Sequence, residues 1–128
     1  MKRLILLFSF CLLAGCDVLG DKSGDLVIHL QSSFEGEEVR ILVGNQEVYR
    51  DRPQTNYVLG FADGTQVSLD QGWHAVRVEV AGETPVHRVI KLKEKGHLGV
   101  TYQCSQIASP CERDTVKLSF QETGWVYF

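Results

Sequence analysis

The chain has 128 residues and carries 13 Lys and Arg against 16 Asp and Glu, for a formal net charge of −3 at pH 7. Its length and its 44% hydrophobic content suit one domain around one core. The basic residues form no block, and this pattern disfavours nucleic-acid binding.

The first segment, residues 1–15, has the three parts of an export signal. A positive head at 1–3 precedes an apolar run at 4–13, which is too short to span a bilayer. The motif LAGC at 13–16 follows and resembles the lipobox of bacterial lipoproteins. This resemblance implies that residues 1–15 are cleaved and that Cys16 becomes an acylated, membrane-anchored N-terminus. The alternative is an ordinary secretory signal with an incidental cysteine.

Residues 16–24 are predicted to be the lipidated cysteine and a short polar tether with a reach of about 25–30 Å. Asp17 resembles the inner-membrane retention signal of enterobacterial lipoproteins. We therefore expect a protein anchored in the cell membrane and facing the periplasm, at the inner membrane in preference to the outer. Without its signal the chain has 11 basic and 16 acidic residues, a net charge of about −5. Adsorption onto anionic lipid is not expected, because the anchor already holds the domain.

From residue 25 to residue 128, apolar side chains recur with a period of two, as in half-buried strands. This pattern predicts up to ten short strands, at 26–30, 39–43, 46–50, 57–61, 67–69, 73–80, 86–93, 98–102, 116–120 and 125–128. Turns are predicted at 44–45, 62–65, 70–72, 94–96 and 122–124. About eight to ten strands predict an all-β domain, an antiparallel sandwich with immunoglobulin-like or transthyretin-like topology or, alternatively, a small barrel.

The hairpin around 73–93 has the clearest pattern in the chain. If Val80 pairs with Val86, then Val76 lies opposite Ile90 on one apolar face. The region 69–92 resembles PEGA-type and carboxypeptidase-regulatory-like envelope domains through its L-x-x-G turn, aromatic residue, alternating valines and glycine turn. The resemblance implies a sandwich fold and carries no catalytic assignment.

Two cysteines besides Cys16 remain after cleavage, Cys104 and Cys111 in CSQIASPC. In an oxidising envelope compartment we expect them to form a disulfide. Closing so short a loop would contribute about 2–3 kcal/mol of stability. Their spacing fits neither a zinc knuckle nor a CxxC redox pair.

The sequence predicts no metal site, cofactor or catalytic residue. The four histidines, His29, His74, His87 and His97, show no ligand spacing, and no serine lies in a G-x-S-x-G motif. We therefore expect a protein that is not an enzyme.

The aromatic end of the chain has two interpretations. Trp125, Tyr127 and Phe128 either complete a core strand or form an edge strand that a partner covers.

We therefore expect a membrane-anchored envelope lipoprotein that acts as a non-enzymatic interaction or scaffold module, with an envelope protein as its partner. The alternative is an inhibitor of a secreted hydrolase such as lysozyme. The segment VTYQC at 100–104 is similar to a strand near the start of such inhibitors, although here it lies near the end. Capture of an apolar ligand in a barrel mouth is a third hypothesis.

Overall fold

The computed structural model describes residues 22–103 and 113–124. This part of the chain forms eight strands: β1 (Ser23–Leu30), β2 (Val39–Val43), β3 (Gln46–Asp51), β4 (Asp63–Asp70), β5 (Gly72–Val80), β6 (Val86–Leu92), β7 (Lys95–Gln103) and β8 (Thr115–Gln121). They form two four-stranded sheets with the orders β4-β1-β7-β8 and β3-β2-β5-β6. The predicted all-β sandwich is confirmed. Within the described ranges no helix is long and apolar enough to cross a membrane.

The core lies between the two sheets and follows the period of two in the sequence. In β1, Leu26, Ile28 and Leu30 are fully buried, whereas Val27 and His29 are only partly covered. The same alternation in the other strands adds Val39, Ile41, Val76, Val78, Ile90, Leu92, Leu98 and Val100 to the buried cluster. Each such side chain contributes about 1.5–3 kcal/mol relative to exposure. The apolar positions predicted from the sequence therefore form one continuous core.

One strand pair departs from the antiparallel arrangement that the sequence suggested. β1 is antiparallel to β4 but parallel to β7, with Asp25 opposite Lys95 and Leu30 opposite Val100. These partners are about 70 residues apart, and the period of two specifies only which face is buried, not the direction of the neighbouring strand. The sheet is consequently mixed.

The β5–β6 hairpin has the predicted strand ends, at Val80 and Val86, but a different register. Val78, and not Val80, lies opposite Val86, and Val76 lies opposite Arg88. A turn closed by the amide of Glu83 on the carbonyl of Val80 (2.9 Å) keeps residues 81–85 out of the ladder. The register is thus displaced by two residues. An even displacement leaves every side chain on its predicted face.

The turn before β4 lies earlier in the chain than predicted. Residues 57–60, expected to be a strand, form a tight turn, whereas Gly64 and Thr65, expected in a turn, belong to β4. The Asn56 side chain accepts a hydrogen bond from the Val58 amide (3.0 Å), and its carbonyl accepts one from the Gly60 amide (2.8 Å). An asparagine that bonds its own backbone competes with strand formation.

The sandwich also begins earlier than predicted. Gly24, assigned above to the tether, is a buried residue of β1. A Cβ atom built on it would lie 2.0 Å from the Lys93 carbonyl oxygen, so only glycine fits there. The first strand therefore starts at Ser23, and six residues lie between Ser23 and Cys16 in the sequence.

Seven residues named in the sequence predictions lie outside the described residues: Cys16, Asp17, Cys104, Cys111, Trp125, Tyr127 and Phe128.

Candidate functional site

The two ends of the sandwich differ in the length of their connections. One end, here the turn end, contains the start of β1 and the short turns at 44–45, 71 and 93–94. The opposite end, here the loop end, contains the longer connections at 31–38, 52–62 and 81–85 and the residues that precede β8, 113–114. Binding residues in sandwich domains concentrate on such loops, which a rigid scaffold positions.

The loop end is braced by hydrogen bonds between two of its connections. The Phe34 amide donates to Thr55 Oγ1 (2.8 Å), and the Thr55 amide donates to the Phe34 carbonyl (2.9 Å). The Phe34 ring is fully buried and lies 6.0 Å from the Tyr102 ring, centroid to centroid. An isolated bridge between Glu35 and Gln54 continues this pairing outward. The 31–38 and 52–62 connections are therefore one ordered unit.

The turn at the tip of this unit exposes three consecutive apolar side chains. Tyr57, Val58 and Leu59 are 64%, 84% and 43% exposed. Asn56 and Phe61 form a bridge across the base of the turn, and Gly60 takes a positive φ of 70° that closes it. A run of apolar residues held in a defined turn and facing solvent marks a candidate interaction surface. We call Tyr57, Val58 and Leu59 the apolar tip.

A charged cluster beside the apolar tip fixes its position. The Arg113 guanidinium contacts the carboxylates of Glu35 (3.1 Å) and Glu37 (3.0 Å) and packs over the Tyr102 ring at 5.1 Å. The Tyr57 hydroxyl donates to Glu35 Oε1 (3.0 Å), and this hydrogen bond raises the pKa of Tyr57 above its usual value. The Arg113 cluster thus links the apolar tip to the start of β8.

Charge is unevenly distributed between the two ends. Within the described residues 31–38, 52–62, 81–85 and 113–114, the only basic residues are Arg52 and Arg113, and the acidic ones are Glu35, Glu37, Glu38, Glu83 and Asp114. At the turn end, four lysines face five acidic residues: Lys22, Lys91, Lys93 and Lys95 against Asp25, Glu47, Asp70, Glu94 and Glu122. The loop end therefore has a net charge of −3, counted from these residues, and the turn end has a net charge of −1.

Two histidines that the sequence gave no reason to pair meet on the outer face of the β4-β1-β7-β8 sheet. His29 Nε2 and His97 Nδ1 are 3.0 Å apart, a hydrogen bond in which one ring donates to the other. Burial lowers the pKa of both rings, and the charge of His97 lowers that of His29 further. Only the parallel β1–β7 register, which the sequence did not reveal, brings them together.

An aromatic ring and a backbone segment lie against this histidine pair. The Phe61 ring lies edge-on to His29 at 6.4 Å, and Gly124, the last described residue, lies against the His97 ring. Among the described residues no three His, Cys, Asp or Glu side chains are grouped to hold a metal ion. His74, in the other sheet, contacts the Asp70 carbonyl oxygen at 2.6 Å.

The chain matches no protein-family model, no curated protein and no solved structure.

Proposed function

We propose that this protein is a lipid-anchored lipoprotein of the bacterial cell envelope and that it acts as a non-enzymatic interaction module. The loop end is the surface that it presents to a protein partner. The observation that carries this proposal is the apolar tip: three exposed apolar side chains on a turn that Asn56, Gly60 and the Arg113 cluster hold in place.

The direction of β1 supports this arrangement. An anchor at Cys16 would hold the turn end, where Ser23 begins the strand, close to the bilayer. β1 then runs for eight residues, about 25 Å at the usual rise, towards Leu30 at the loop end. The apolar tip would therefore point away from the anchoring membrane, towards other envelope proteins.

The polar groups of the loop end support binding rather than catalysis. Burial, together with the hydrogen bond that Tyr102 donates to Glu83 (2.8 Å), raises the pKa of Tyr102 to about 12. Tyr49 donates to Asp63 (2.9 Å), which links the two sheets. These groups bond one another within the fold, and of the four only Glu83 also lines the groove of about 210 Å³ beside Thr115.

The finer features of the predicted fold belong to the same proposal. Constant-type immunoglobulin domains keep their first two strands in one sheet, whereas here β1 and β2 lie in different sheets, so we favour the transthyretin-like topology. A disulfide between Cys104 and Cys111 would constrain the connection that delivers Arg113 to Glu35. Asp17 would keep the lipoprotein at the inner membrane.

A second candidate function, inhibition of a secreted hydrolase, is favoured by the charge of the loop end. A net charge of −3 around an exposed apolar tip suits a basic partner, and lysozymes are often basic. Inhibition of lysozyme at micromolar concentration by the purified chain would select this function over a scaffold role.

The experiment that tests the proposal compares two exposed apolar surfaces. The lipoprotein would be cross-linked in native membranes and purified with its partner, as wild type, as the Val58→Asp/Leu59→Asp variant and as the Val89→Asp variant. Val89 is 63% exposed on a different face, so it is the matched control. We expect one dominant cross-linked protein that is lost in the Val58/Leu59 variant and kept in the Val89 variant.

Two results would contradict the proposal. Equal cross-linking of all three proteins would show that the apolar tip binds nothing. Loss of the partner only in a Trp125→Ala/Tyr127→Ala variant, confirmed to be folded, would move the interaction surface to the aromatic end of the chain.

A further inference from the structure

A second exposed aromatic side chain lies at the turn end, on the outer face of the β3-β2-β5-β6 sheet. Trp73 is 69% exposed, and its register partner in β6 is Lys91, whose Nζ lies 5.7 Å from the indole ring centre. An open groove beside Trp73, with a volume of about 460 Å³, is lined by Ser23, Val43 and Gln46 among others. A large aromatic residue in this position covers none of the core that the two sheets share.

The chain enters the sandwich directly beside Trp73. The Gln71 amide donates to the Lys22 carbonyl (2.8 Å), and the Gln71 side chain donates to the Ser23 carbonyl (3.1 Å). Gln71 lies directly before β5, and Trp73 is the second residue of β5. The position of Trp73 relative to the point where the chain enters is therefore fixed by the fold.

The number of residues between Cys16 and Ser23 limits the distance between Trp73 and the proposed anchor. Six residues lie between Cys16 and Ser23, and seven residue spacings extend to at most about 25 Å. The longest strands, β5 and β7, have nine residues each, about 30 Å at the usual rise. A lipid at Cys16 therefore keeps the turn end within one strand length of the bilayer surface.

The charges at the two ends favour one orientation of the domain at the bilayer surface. Four exposed lysines, Lys22, Lys91, Lys93 and Lys95, lie at the turn end. Their charge is locally offset, since Lys93 contacts Glu122 (3.2 Å) and Lys95 lies opposite Asp25, but the loop end carries the larger acidic excess. An anionic bilayer repels the acidic loop end and attracts the lysines of the turn end. The turn end is thus the one that faces the lipid.

We propose that the turn end rests on the bilayer that carries the Cys16 lipid, with Trp73 in the headgroup region and the neighbouring lysines against lipid phosphates. Tryptophan prefers this amphipathic layer, and lysine stems reach from it towards phosphate. The inference rests on the proposed lipid anchoring. It adds a fixed orientation, in which the domain stands on the membrane and raises the apolar tip above it. The anchor then supplies attachment, and Trp73 supplies orientation.

The test uses the full chain, processed and purified from membranes and reconstituted into phosphatidylethanolamine–phosphatidylglycerol vesicles. Flotation in high salt examines the anchor alone, because acyl chains hold the protein when charge is screened. Tryptophan emission is then recorded with and without brominated acyl chains, in wild type and in Trp73→Phe. The chain has two tryptophans, so the difference between these proteins reports Trp73.

A matched control places the same probe at the opposite end. In a Trp73→Phe/Val58→Trp variant, the indole lies on the apolar tip, where brominated lipid is expected to leave its emission unchanged. We expect the Trp73 difference signal to shift to the blue on reconstitution and to be quenched by brominated lipid. Lys91→Glu with Lys95→Glu should remove most of this quenching, whereas Lys117→Glu, in the middle of β8, should not.

The outcomes separate the two proposals. If the protein does not float in high salt, the lipid anchor is wrong, and the orientation inferred from it falls as well. If it floats and Trp73 is not quenched, or is quenched no more than the Val58→Trp probe, the anchor stands and the membrane contact is overturned. Protection of Trp73 from acrylamide without quenching by brominated lipid also overturns it, because a protein would then cover this surface.

Discussion

Substitution of Gly24 by alanine distinguishes the observed start of the domain from the start that the sequence suggests. In a solvated tether the added methyl group would be neutral, or would stabilise the fold by up to about 1 kcal/mol through the entropy of the unfolded chain. In the structure Gly24 is buried in β1, and its Cβ would lie 2.0 Å from the Lys93 carbonyl oxygen. The two placements therefore predict opposite signs.

The size of the loss follows from the atoms that would have to move. Contacts of a Cβ below 3.0 Å are essentially never seen, so at least one ångström of backbone displacement is needed. The Asp25 amide donates to the Glu94 carbonyl (3.0 Å), and this bond holds the same two segments together. Overpacking costs about 1–3 kcal/mol, and a clash with fixed backbone belongs at the upper limit, about 3 kcal/mol.

Thermal unfolding followed by circular dichroism measures this loss. For a domain of this size, about 3 kcal/mol corresponds to a Tm lower by roughly 12–24 °C. Ser23→Ala, at the neighbouring exposed position of β1, is the control and should stay within about 0.5 kcal/mol of wild type. A Gly24→Ala protein as stable as Ser23→Ala would refute the placement of Gly24 in the strand.

Three further substitutions or conditions test other parts of the fold. Stability to urea should fall as the pH drops below about 6.5, because burial lowers the pKa of His29 and His97 and the unfolded chain then binds more protons; His97→Gln should reduce this pH dependence. Tyr49→Phe should cost about 1.5 kcal/mol in urea unfolding, since it removes the hydrogen bond to Asp63 that joins the two sheets. Phe34→Ala should lower the free energy of unfolding by about 3–5 kcal/mol and allow a low concentration of protease to cleave the loop end. Phe34→Leu should have a much smaller effect on both.

The core could be predicted from the sequence because one property, the period of two, determines it. Alternation in β1, β2, β5 and β7 identified which side chains are buried, and all of these sit between the sheets. The prediction tolerated an error in register, because the two-residue displacement in the β5–β6 hairpin preserves both faces.

Several boundaries differ from those predicted, among them the start of β7 at Lys95, and two of them depend on interactions that a local pattern does not contain. The hydrogen bond between the Asn56 side chain and the Val58 amide forms a turn at apolar residues that have high strand propensity. Gly24 joined β1 because the Lys93 backbone, about 70 residues away, approaches it closely. Glycine in a polar segment has the same appearance whether it is solvated or tightly packed.

The candidate sites were missed for a related reason, since each depends on which end of the sandwich a residue occupies. The sequence places Trp73 in a hairpin and Val58 in a strand, but strand order and direction assign them to opposite ends, Trp73 to the end with the lysines and Val58 to the end with the larger acidic excess. A net charge counted over the whole chain conceals this separation. With the lipid anchor that we propose at the turn end, the separation would give the domain a direction, in which the apolar tip would face a partner and Trp73 would face the lipid.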